Sequence, residues 1–537
     1  MIFKSKKYKT WSIASIIVGG IIFIPLLFVL EGFADGTNEN IEHIQEYVLP
    51  DLIYTTLRLI IGVSIVSILL GLPAAYFIAN FDFPLRKILE RANVLPLSVP
   101  TYIMGFVYAS IFSVTGSFTK LAMFFFTPKE IFAWDVNVLT EGWLIVFLGF
   151  ALYPYVYSSC LLHFSSKNKS ISEAAATLGV SPLRRFFTLI LPLALPSILA
   201  GTVLIIMEVI NDYGAVSYFN VKTFSAGIFQ AKQMDFSGSL YLSALLFVVI
   251  TMVFGSLFVF RNMKRVNDKK NHSNFTLKPL KGGTGALVSF LSFLPFFLGF
   301  IVPITELIHL SFFTPKSLVQ DDLWSITLQS FELALIPALI IVVISLLLLY
   351  NKYLNRGPLS NFIANISTLG YAIPGAVIGV AILGFAFFMD EEGDFYSWGI
   401  QSLFLLSLAY IIRFMAVGYN TLESNFASLP DSLPDASRVL GKSSFITFFK
   451  VHFPILKYGI FTTFAVVTID VLKDLPLTLI LQRFNFETLA TKAYKKAKVA
   501  ESVIDAAPYA LLLIALGVSV SLVLMRSKKT SDDVSKG

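Results

Sequence analysis

Ser170-Ile-Ser-Glu-Ala-Ala-Ala-Thr-Leu-Gly-Val-Ser-Pro-Leu-Arg-Arg-Phe-Phe-Thr-Leu-Ile-Leu-Pro192 is a polar, helix-forming stretch between two long apolar runs. Ser170 and Glu173 have the spacing of a capping box, which satisfies free N–H groups at a helix start. Gly179 is a residue type that commonly ends a helix. The stretch therefore predicts a short helix, a turn, and a second helix that enters an apolar run near Pro192.

A weaker copy of this stretch occurs later in the chain, as Ser432-Leu-Pro-Asp-Ala-Ser-Arg-Val-Leu-Gly-Lys-Ser-Ser-Phe-Ile-Thr-Phe-Phe-Lys-Val-His-Phe-Pro454. The serine-to-acid start, the glycine and the closing proline all recur at the constant shift that separates Glu173 from Asp435, which we call the downstream shift. Ahead of both stretches the shift is slightly larger, as from Pro100 to Pro374, and we call it the upstream shift. The chain is therefore predicted to contain a tandem repeat.

Composition indicates a polytopic membrane protein. Of the 537 residues, 56% are hydrophobic, and the mean hydropathy is +0.75. Runs of about 20 apolar residues match the thickness of a bilayer core. They predict an all-α fold with about twelve spans, near 11–30, 52–79, 93–117, 142–163, 191–218 and 238–260, then 283–311, 325–350, 362–388, 396–419, 455–481 and 505–526.

Basic residues orient the predicted spans. Lysines precede the first span, and a run from Arg261 to Lys281 follows the sixth, so both segments are expected on the cytoplasmic side. The predicted division is a first domain over 1–260, a basic linker over 261–282 and a second domain over 283–537. Both termini are predicted to be cytoplasmic. The net charge of +7 is attributed to topology, and nucleic acid is rejected as a partner.

Four carboxylates lie inside the predicted spans at paired positions. Glu208 and Asp212 match Asp470 and Asp474 at the downstream shift. The two acids of each pair are four residues apart and share one helix face. At ~1.5 Å per residue, Asp212 lies roughly 30 Å from Pro192, near the exterior end of its span. Two interpretations stay open: the acids line a passage for a cation, or they pair with nearby bases and close an outer gate.

Further charged residues lie in the predicted spans. Arg58 and Glu332 are equivalent at the upstream shift but opposite in charge. They are predicted either to form a salt bridge between the halves or to extend separately to the membrane surface, as snorkelling side chains do. Arg413 is expected to snorkel at the inner end of its span. Lys473 is a base that could pair with the acids.

Both polar stretches resemble the EAA motif of permease subunits of binding-protein-dependent ABC importers. The residues that carry the first motif are Glu173, Ala174, Ala175, Gly179, Leu191 and Pro192, and those of the second are Asp435, Ala436, Gly441 and Pro454. The second motif keeps the spacing but loses most identities. Segments from Glu208 to Phe219, from Asp470 to Leu479 and from Phe484 to Tyr494 further resemble fused, two-domain iron(III) permeases.

This resemblance implies a type I importer fold in the bacterial inner membrane, with six spans in each permease domain. Coupling loops over 164–192 and 420–454 would contact a cytoplasmic ABC ATPase dimer, and an extracytoplasmic binding protein would deliver the substrate. The chain itself is expected to be no enzyme and to bind no cofactor, since ATP and Mg belong to the ATPase subunits. No metal site is assigned.

The resemblance implies ferric iron as the expected substrate, and carboxylates suit such a hard cation. Alternatives are thiamine, phosphonate or another small solute in the same class of importer, or an ion-coupled secondary transporter. One predicted exterior loop, 482–505, disagrees with the topology because it is rich in lysine. Lys495 and Lys496 make it a candidate docking surface for an acidic patch on the binding protein.

Overall fold

A computed structural model describes most of the chain, with gaps between the following ranges: residues 9–34, 39–133, 137–166, 175, 177–263, 277–314, 322–355, 357–390, 394–427, 429–430 and 432–534. Within these ranges the regular structure is almost all helical. The two strands there, Phe81–Asp82 and Lys278–Pro279, form one short parallel pair. The predicted all-α class is confirmed.

The helices of the first half are mostly long and apolar. The α-helices are Lys9–Leu27, Glu39–His43, Leu49–Asn80, Arg86–Ala92, Thr101–Ile111, Ser117–Ala122, Pro128–Ala133, Glu141–Ser166, Pro182–Arg185, Leu191–Asn211, Gly214–Tyr218, Phe224–Met234 and Phe236–Met263. Short 3-10 or π turns extend several of them, at Phe28–Phe33, Ile44–Val48, Leu95–Ser98 and Phe186–Ile190.

The second half follows the same plan. Its α-helices are Gly282–Phe296, Val302–Ser311, Leu323–Leu354, Pro358–Ser367, Gly375–Phe388, Asp394–Gln401, Phe404–Phe426, Leu433–Val439, Ser444–Thr447, Phe453–Lys473, Pro476–Leu481, Leu489–Lys498 and Val503–Val534. Its 3-10 and π turns are Phe297–Ile301, Leu369–Tyr371 and Phe448–His452.

Helix boundaries repeat at the two shifts found in the sequence. Leu49–Asn80 and Leu323–Leu354 are both 32 residues long, and their first residues are related by the upstream shift. The first acidic helix, Leu191–Asn211, and the second acidic helix, Phe453–Lys473, are both 21 residues long, and their first residues are related by the downstream shift. The repeat seen in the sequence is therefore also a repeat of structure.

Nine helices in the described ranges are long and apolar enough to cross a membrane. Each half adds one sharply bent helix pair: the first bent pair is Arg86–Ser98 with Thr101–Ile111, and the second is Pro358–Tyr371 with Gly375–Phe388. A shorter apolar helix, Phe236–Met252, lies where the sixth span was predicted. Each predicted span thus has a helical counterpart.

The two bent pairs correct the prediction of continuous spans over 93–117 and 362–388. The first pair bends by 95° and the second by 107°. Pro100 and Pro374 immediately precede the second helix of each pair. Proline lacks an N–H and disfavours helical geometry in the residue before it, so each helix ends there and a new one starts.

The first helix of each half packs against the other half. Trp11 Nε1 donates a hydrogen bond to Ser444 Oγ at 3.2 Å. In the opposite direction, Asn93 Nδ2 donates to the backbone oxygen of Ser292 at 3.1 Å. The two halves are therefore interlocked, and each is held by a helix from the other.

Gly201 allows the first acidic helix to lie close to helix Glu141–Ser166. A Cβ at this position would lie 2.7 Å from Val156 Cα and 2.9 Å from the backbone oxygen of Tyr155. Small residues allow such close approach between membrane helices. Gly201→Leu is therefore expected to destabilise the protein by about 1–3 kcal/mol, as overpacking does. The midpoint of thermal unfolding in detergent measures the loss.

Gly283→Ala is the matched control for Gly201→Leu. A Cβ at Gly283 would meet nothing within 4 Å, and the residue lies in an exposed helical turn. Alanine favours a helix more than glycine does, so the unfolding midpoint should stay unchanged or rise slightly. Equal losses in the two variants would contradict the close packing at Gly201.

Candidate functional site

A cavity of about 320 Å³ lies between the two halves, where the acidic helices end and the bent pairs break. We call it the central cavity. Its wall carries four carboxylates and two bases: Glu208, Asp212, Asp470, Asp474, Arg413 and Lys473. The structure thus brings the four acids matched in the sequence to one place, although they come from helices that lie far apart in the chain.

Asp212 and Asp474 each cap a short helix that follows an acidic helix. Asp212 Oδ1 accepts a hydrogen bond from the backbone N–H of Ala215 at 2.8 Å. Asp474 Oδ1 accepts one from the N–H of Leu477 at 3.0 Å. Aspartate is a favoured residue at helix starts for this reason. These two acids therefore hold the chain where it turns beside the cavity.

Arg413 is buried beside Asp474, so the expectation that it snorkels to the membrane surface is wrong. Its Nε lies 3.2 Å from Asp474 Oδ2, and the two side chains are 8% and 2% exposed. Nη1 also donates to the backbone oxygen of Ile373 at 3.3 Å, at the break of the second bent pair. The helix that carries Arg413 is Phe404–Phe426, so the residue lies near the middle of its span.

Glu208 connects the two halves through tyrosines. Its Oε1 accepts a hydrogen bond from Tyr155 of the first half at 3.0 Å and from Tyr371 of the second half at 3.4 Å. Asp470 is the equivalent acid of the second acidic helix and is half-buried in the same wall. The sequence offered no signal for either tyrosine, because neither has an equivalent partner in the repeat.

Two further hydrogen bonds cross between the halves at the ends of the acidic helices. Asn211 Oδ1 accepts from the N–H of Gly375, the first residue after the bend in the second pair, at 2.8 Å. Lys473 Nζ donates to the backbone oxygen of Leu97 in the first bent pair at 3.3 Å. Asn211 and Lys473 are equivalent at the downstream shift, and this match was the signal that could have predicted their shared role.

The arrangement of the acids does not form a metal site by itself. Among the residues that the structure describes, no group of three or more His, Cys, Asp or Glu side chains could hold a metal ion. Two of the four acids are directed to backbone N–H groups instead. A cation in the central cavity would therefore be attracted by charge and held by few direct ligands.

Arg58 and Glu332 do not meet. Arg58 forms a bidentate ion pair with Glu141, within its own half. Glu332 is exposed on helix Leu323–Leu354. The salt bridge considered between the halves is thus replaced by a local one, since helix Glu141–Ser166 begins beside Arg58.

The two EAA-like stretches are described in part. Glu173 and Ala174 lie outside the described residues, as does the side chain of Asp435. Gly179 has φ +78° and Gly441 has φ +69°, the left-handed geometry that favours glycine after a helix.

The remaining motif residues occupy corresponding places in the two halves. Ala175 is buried, and Ala436, which is equivalent to Ala174 and not to Ala175, is exposed. Leu191 begins the first acidic helix, and Pro192 and Pro454 lie in the first turn of the two acidic helices. Their contacts with an ATPase stay a prediction.

Lysines of the segment 482–505 are largely engaged within the protein. Lys492 and Lys495 contact the Glu487 carboxylate at 2.6 and 3.3 Å. Burial opposes ionisation of Glu487, but these two lysines outweigh it and lower the pKa of its carboxyl. Lys498 donates to the backbone oxygen of Ser217 at 2.6 Å. These bonds give the lysines roles within the protein, while the exterior location of the segment and docking of a binding protein there stay predictions.

An all-helical membrane fold with two repeats around a charged cavity is the architecture of a membrane transport protein. The family model described as "Binding-protein-dependent transport system inner membrane component" matches residues 47–271 and 352–529. The chain belongs to this family. Because the family model matches in two segments, the chain is a fused, two-domain permease of a binding-protein-dependent importer.

Individual relatives differ in how much of the chain they match. The "Fe(3+)-transport system permease protein FbpB 2" of Haemophilus influenzae is 27% identical over 510 residues, which is 93% of this chain and 94% of that protein. The "Sulfate transport system permease protein CysT" of Salmonella typhimurium is 31% identical over 29% of this chain and 53% of its own. The "Molybdenum transport system permease protein ModB" of H. influenzae is 28% identical over 31% of this chain and 71% of its own.

Proposed function

We propose that this permease passes ferric iron from an extracytoplasmic binding protein to the cytoplasm through the central cavity. One observation carries the proposal: the relative whose name specifies Fe(3+) matches nearly the whole chain, including both halves. The sulfate and molybdenum relatives named above match less than a third of it.

The charge of the central cavity supports a cation over an oxyanion. The wall of the cavity carries four carboxylates and two bases. Sulfate and molybdate are anions, and an excess of carboxylates would repel them at short range. Ferric iron is a hard cation that prefers oxygen ligands, which carboxylates and tyrosines supply.

ATP-driven alternating access fits the layout of the acidic helices. Each runs without interruption from an EAA-like stretch to the wall of the central cavity. At ~1.5 Å per residue, the 21 residues of each helix extend over roughly 30 Å. The proposal places the EAA-like stretches and both termini on the cytoplasmic side. A cytoplasmic ATPase dimer that displaces these stretches would thus move the acidic helices, and with them the wall of the cavity.

Reconstitution of the full importer tests this proposal. The permease is placed in proteoliposomes with its ATPase subunits, and binding proteins loaded with iron, sulfate or molybdate are added outside. We expect only the iron-loaded protein to stimulate ATP hydrolysis and to deliver its ligand to the lumen. Stimulation by an oxyanion-loaded protein would overturn the iron assignment, and iron uptake without any ATPase would identify an ion-coupled secondary transporter.

A further inference from the structure

Lys473 is the last residue of the second acidic helix and reaches into the first half. Its Nζ lies 3.3 Å from the backbone oxygen of Leu97. A narrow slot holds the side chain, because a Cβ on Gly517 would come within 3.2 Å of both Lys473 Cε and the backbone oxygen of Ser98. The ammonium is therefore held at a defined place in the cavity wall.

The ammonium of Lys473 balances two carboxylates that have no helix-capping task. Asp212 and Asp474 are committed to helix starts. The other two acids of the cavity, Glu208 and Asp470, line its wall together with Lys473, and Asp470 lies one helical turn before Lys473 on the same helix. Carboxylates at such depth are costly to keep ionised without a nearby positive charge. In a cavity without substrate, Lys473 supplies that charge.

Asn211 provides a comparison within the same chain. It occupies the equivalent position on the first acidic helix and also forms a hydrogen bond to the other half, in which its Oδ1 accepts from the N–H of Gly375. An uncharged amide is thus sufficient for a bond between the halves at this position. The positive charge of Lys473 needs a second explanation, and the neighbouring Glu208 and Asp470 supply one.

We propose that Lys473 acts as a tethered cation, which a cationic substrate displaces from the central cavity and so frees from its bond to the first half. The inference rests on the proposed function, because it needs a substrate of positive charge. Lys473 is a positioning residue here: it holds the cavity ready and contacts the opposite half, while Glu208 and Asp470 receive the substrate.

The substrate displaces the Lys473 ammonium because both are positively charged and both interact with the same two carboxylates. A trivalent ion brings more positive charge to Glu208 and Asp470 than one ammonium does, and two cations at the same carboxylates repel each other. The ammonium therefore moves away, and its hydrogen bond to Leu97 is lost with it. A ligand shifts a conformational equilibrium only when it binds one state more tightly than the other. Here the substrate binds more tightly to the state in which Lys473 has moved away from Glu208 and Asp470, because no second cation competes for them.

Binding of terbium(III), a hard trivalent probe, tests the competition. Lys473→Asn installs the residue found at the equivalent position and removes the tethered charge. We expect the purified permease in nanodiscs to bind Tb³⁺ about tenfold more tightly after this change, because no cation competes. The Lys473→Arg variant keeps the positive charge and should bind Tb³⁺ as tightly as the unmodified protein does. Combining Lys473→Asn with Asp470→Asn should remove the gain in Tb³⁺ affinity that Lys473→Asn gives alone.

Lys232→Asn is the matched control for binding. Lys232 Nζ also donates to a backbone oxygen of the other half, that of Ile480 at 3.0 Å, but it does not line the central cavity. Its replacement should leave the affinity for Tb³⁺ unchanged. A tenfold gain in both asparagine variants, or in neither, would overturn the tethered-cation proposal. Size-exclusion chromatography checks that each variant is folded, and the crosslink described next tests the proposal with Lys473 in place if the asparagine variant is not.

A crosslink between the halves tests the release of the bond. Ser98 Oγ and Ser521 Oγ are 3.1 Å apart, and Ser98 follows Leu97 directly. With Cys160→Ser in the background, the Ser98→Cys and Ser521→Cys changes together should allow rapid disulfide formation when a mild oxidant is added, and Tb³⁺ should slow this reaction several-fold. With Lys473→Asn added, formation should be slow from the start and insensitive to Tb³⁺. A rate that Tb³⁺ leaves unchanged while Lys473 is present would overturn the proposal.

The two proposals fail separately. If the intact importer does not take up iron but Tb³⁺ displaces Lys473 as described, the iron assignment fails and the tethered cation stands for another cationic substrate. If the importer takes up iron but the Lys473 variants match the unmodified protein in Tb³⁺ affinity and crosslinking, the tethered cation fails and the iron assignment stands.

Discussion

Iron uptake is expected to fall by about 100-fold when Glu208→Gln and Asp470→Asn are combined, a change of ~2.7 kcal/mol in the barrier. These two acids face the central cavity without a helix to cap, so their charge is available to a cation. Neutralising them also leaves Lys473 as an unbalanced positive charge that repels the substrate. Uptake of radioactive iron into proteoliposomes that contain the full importer, with ATP inside, measures the effect.

Two other changes separate this effect from general damage. Glu332→Gln also neutralises a carboxylate of a membrane helix, but one that is exposed and outside the cavity, so uptake should be unchanged. Asp212→Asn keeps a side chain that can cap a helix and should reduce uptake far less than the double variant. If Asp212→Asn abolished uptake while the double variant remained active, the assignment of Glu208 and Asp470 as the acids that face the substrate would be wrong.

The acidic helices could be predicted from the sequence because the chain contains its own comparison. Two copies related by the constant downstream shift pair the acids and predict spans over 191–218 and 455–481. The structure ends the two helices earlier, at Asn211 and Lys473, because the backbone is extended at Asp212 and Asp474. A repeat fold then places equivalent helix ends around one axis. The convergence of Glu208 and Asp470 on one cavity follows from that symmetry.

The tasks of the individual side chains could not be predicted in the same way. The sequence predicts a span over 396–419, which places Arg413 near the inner end of that span. The structure ends one helix at Gln401 and starts the next at Phe404, with Leu403 at φ +59° between them. This backbone turn has no strong sequence signal, because leucine rarely adopts positive φ. It moves Arg413 from the membrane surface to the buried interior.

The contacts between the two halves could not be predicted from the sequence either. The repeat predicts that equivalent residues have equivalent surroundings, but it does not say which helix of the other half lies opposite. The bonds of Asn211 to Gly375 and of Lys473 to Leu97 depend on the bends at Pro374 and Pro100. The prolines were recognised as a repeat feature, whereas the bends of 107° and 95° were not predicted.

Arg413→Met is expected to destabilise the permease by about 3–5 kcal/mol, because it leaves the Asp474 carboxylate buried without its partner. The same change removes the bond from Arg413 Nη1 to Ile373, which fixes the break of the second bent pair against the cavity wall. Unfolding in mixed micelles with increasing SDS measures the free energy. Arg58→Met is the matched control: Arg58 is 52% exposed in its ion pair with Glu141, and exposed pairs contribute little.

Combining Arg413→Met with Asp474→Asn distinguishes a buried ion pair from ordinary packing. Asparagine can still cap the helix that begins after Asp474, while both charges are gone. The double variant should therefore be more stable than Arg413→Met alone, which independent contributions would not produce. Additive losses would instead mean that Arg413 contributes by filling space.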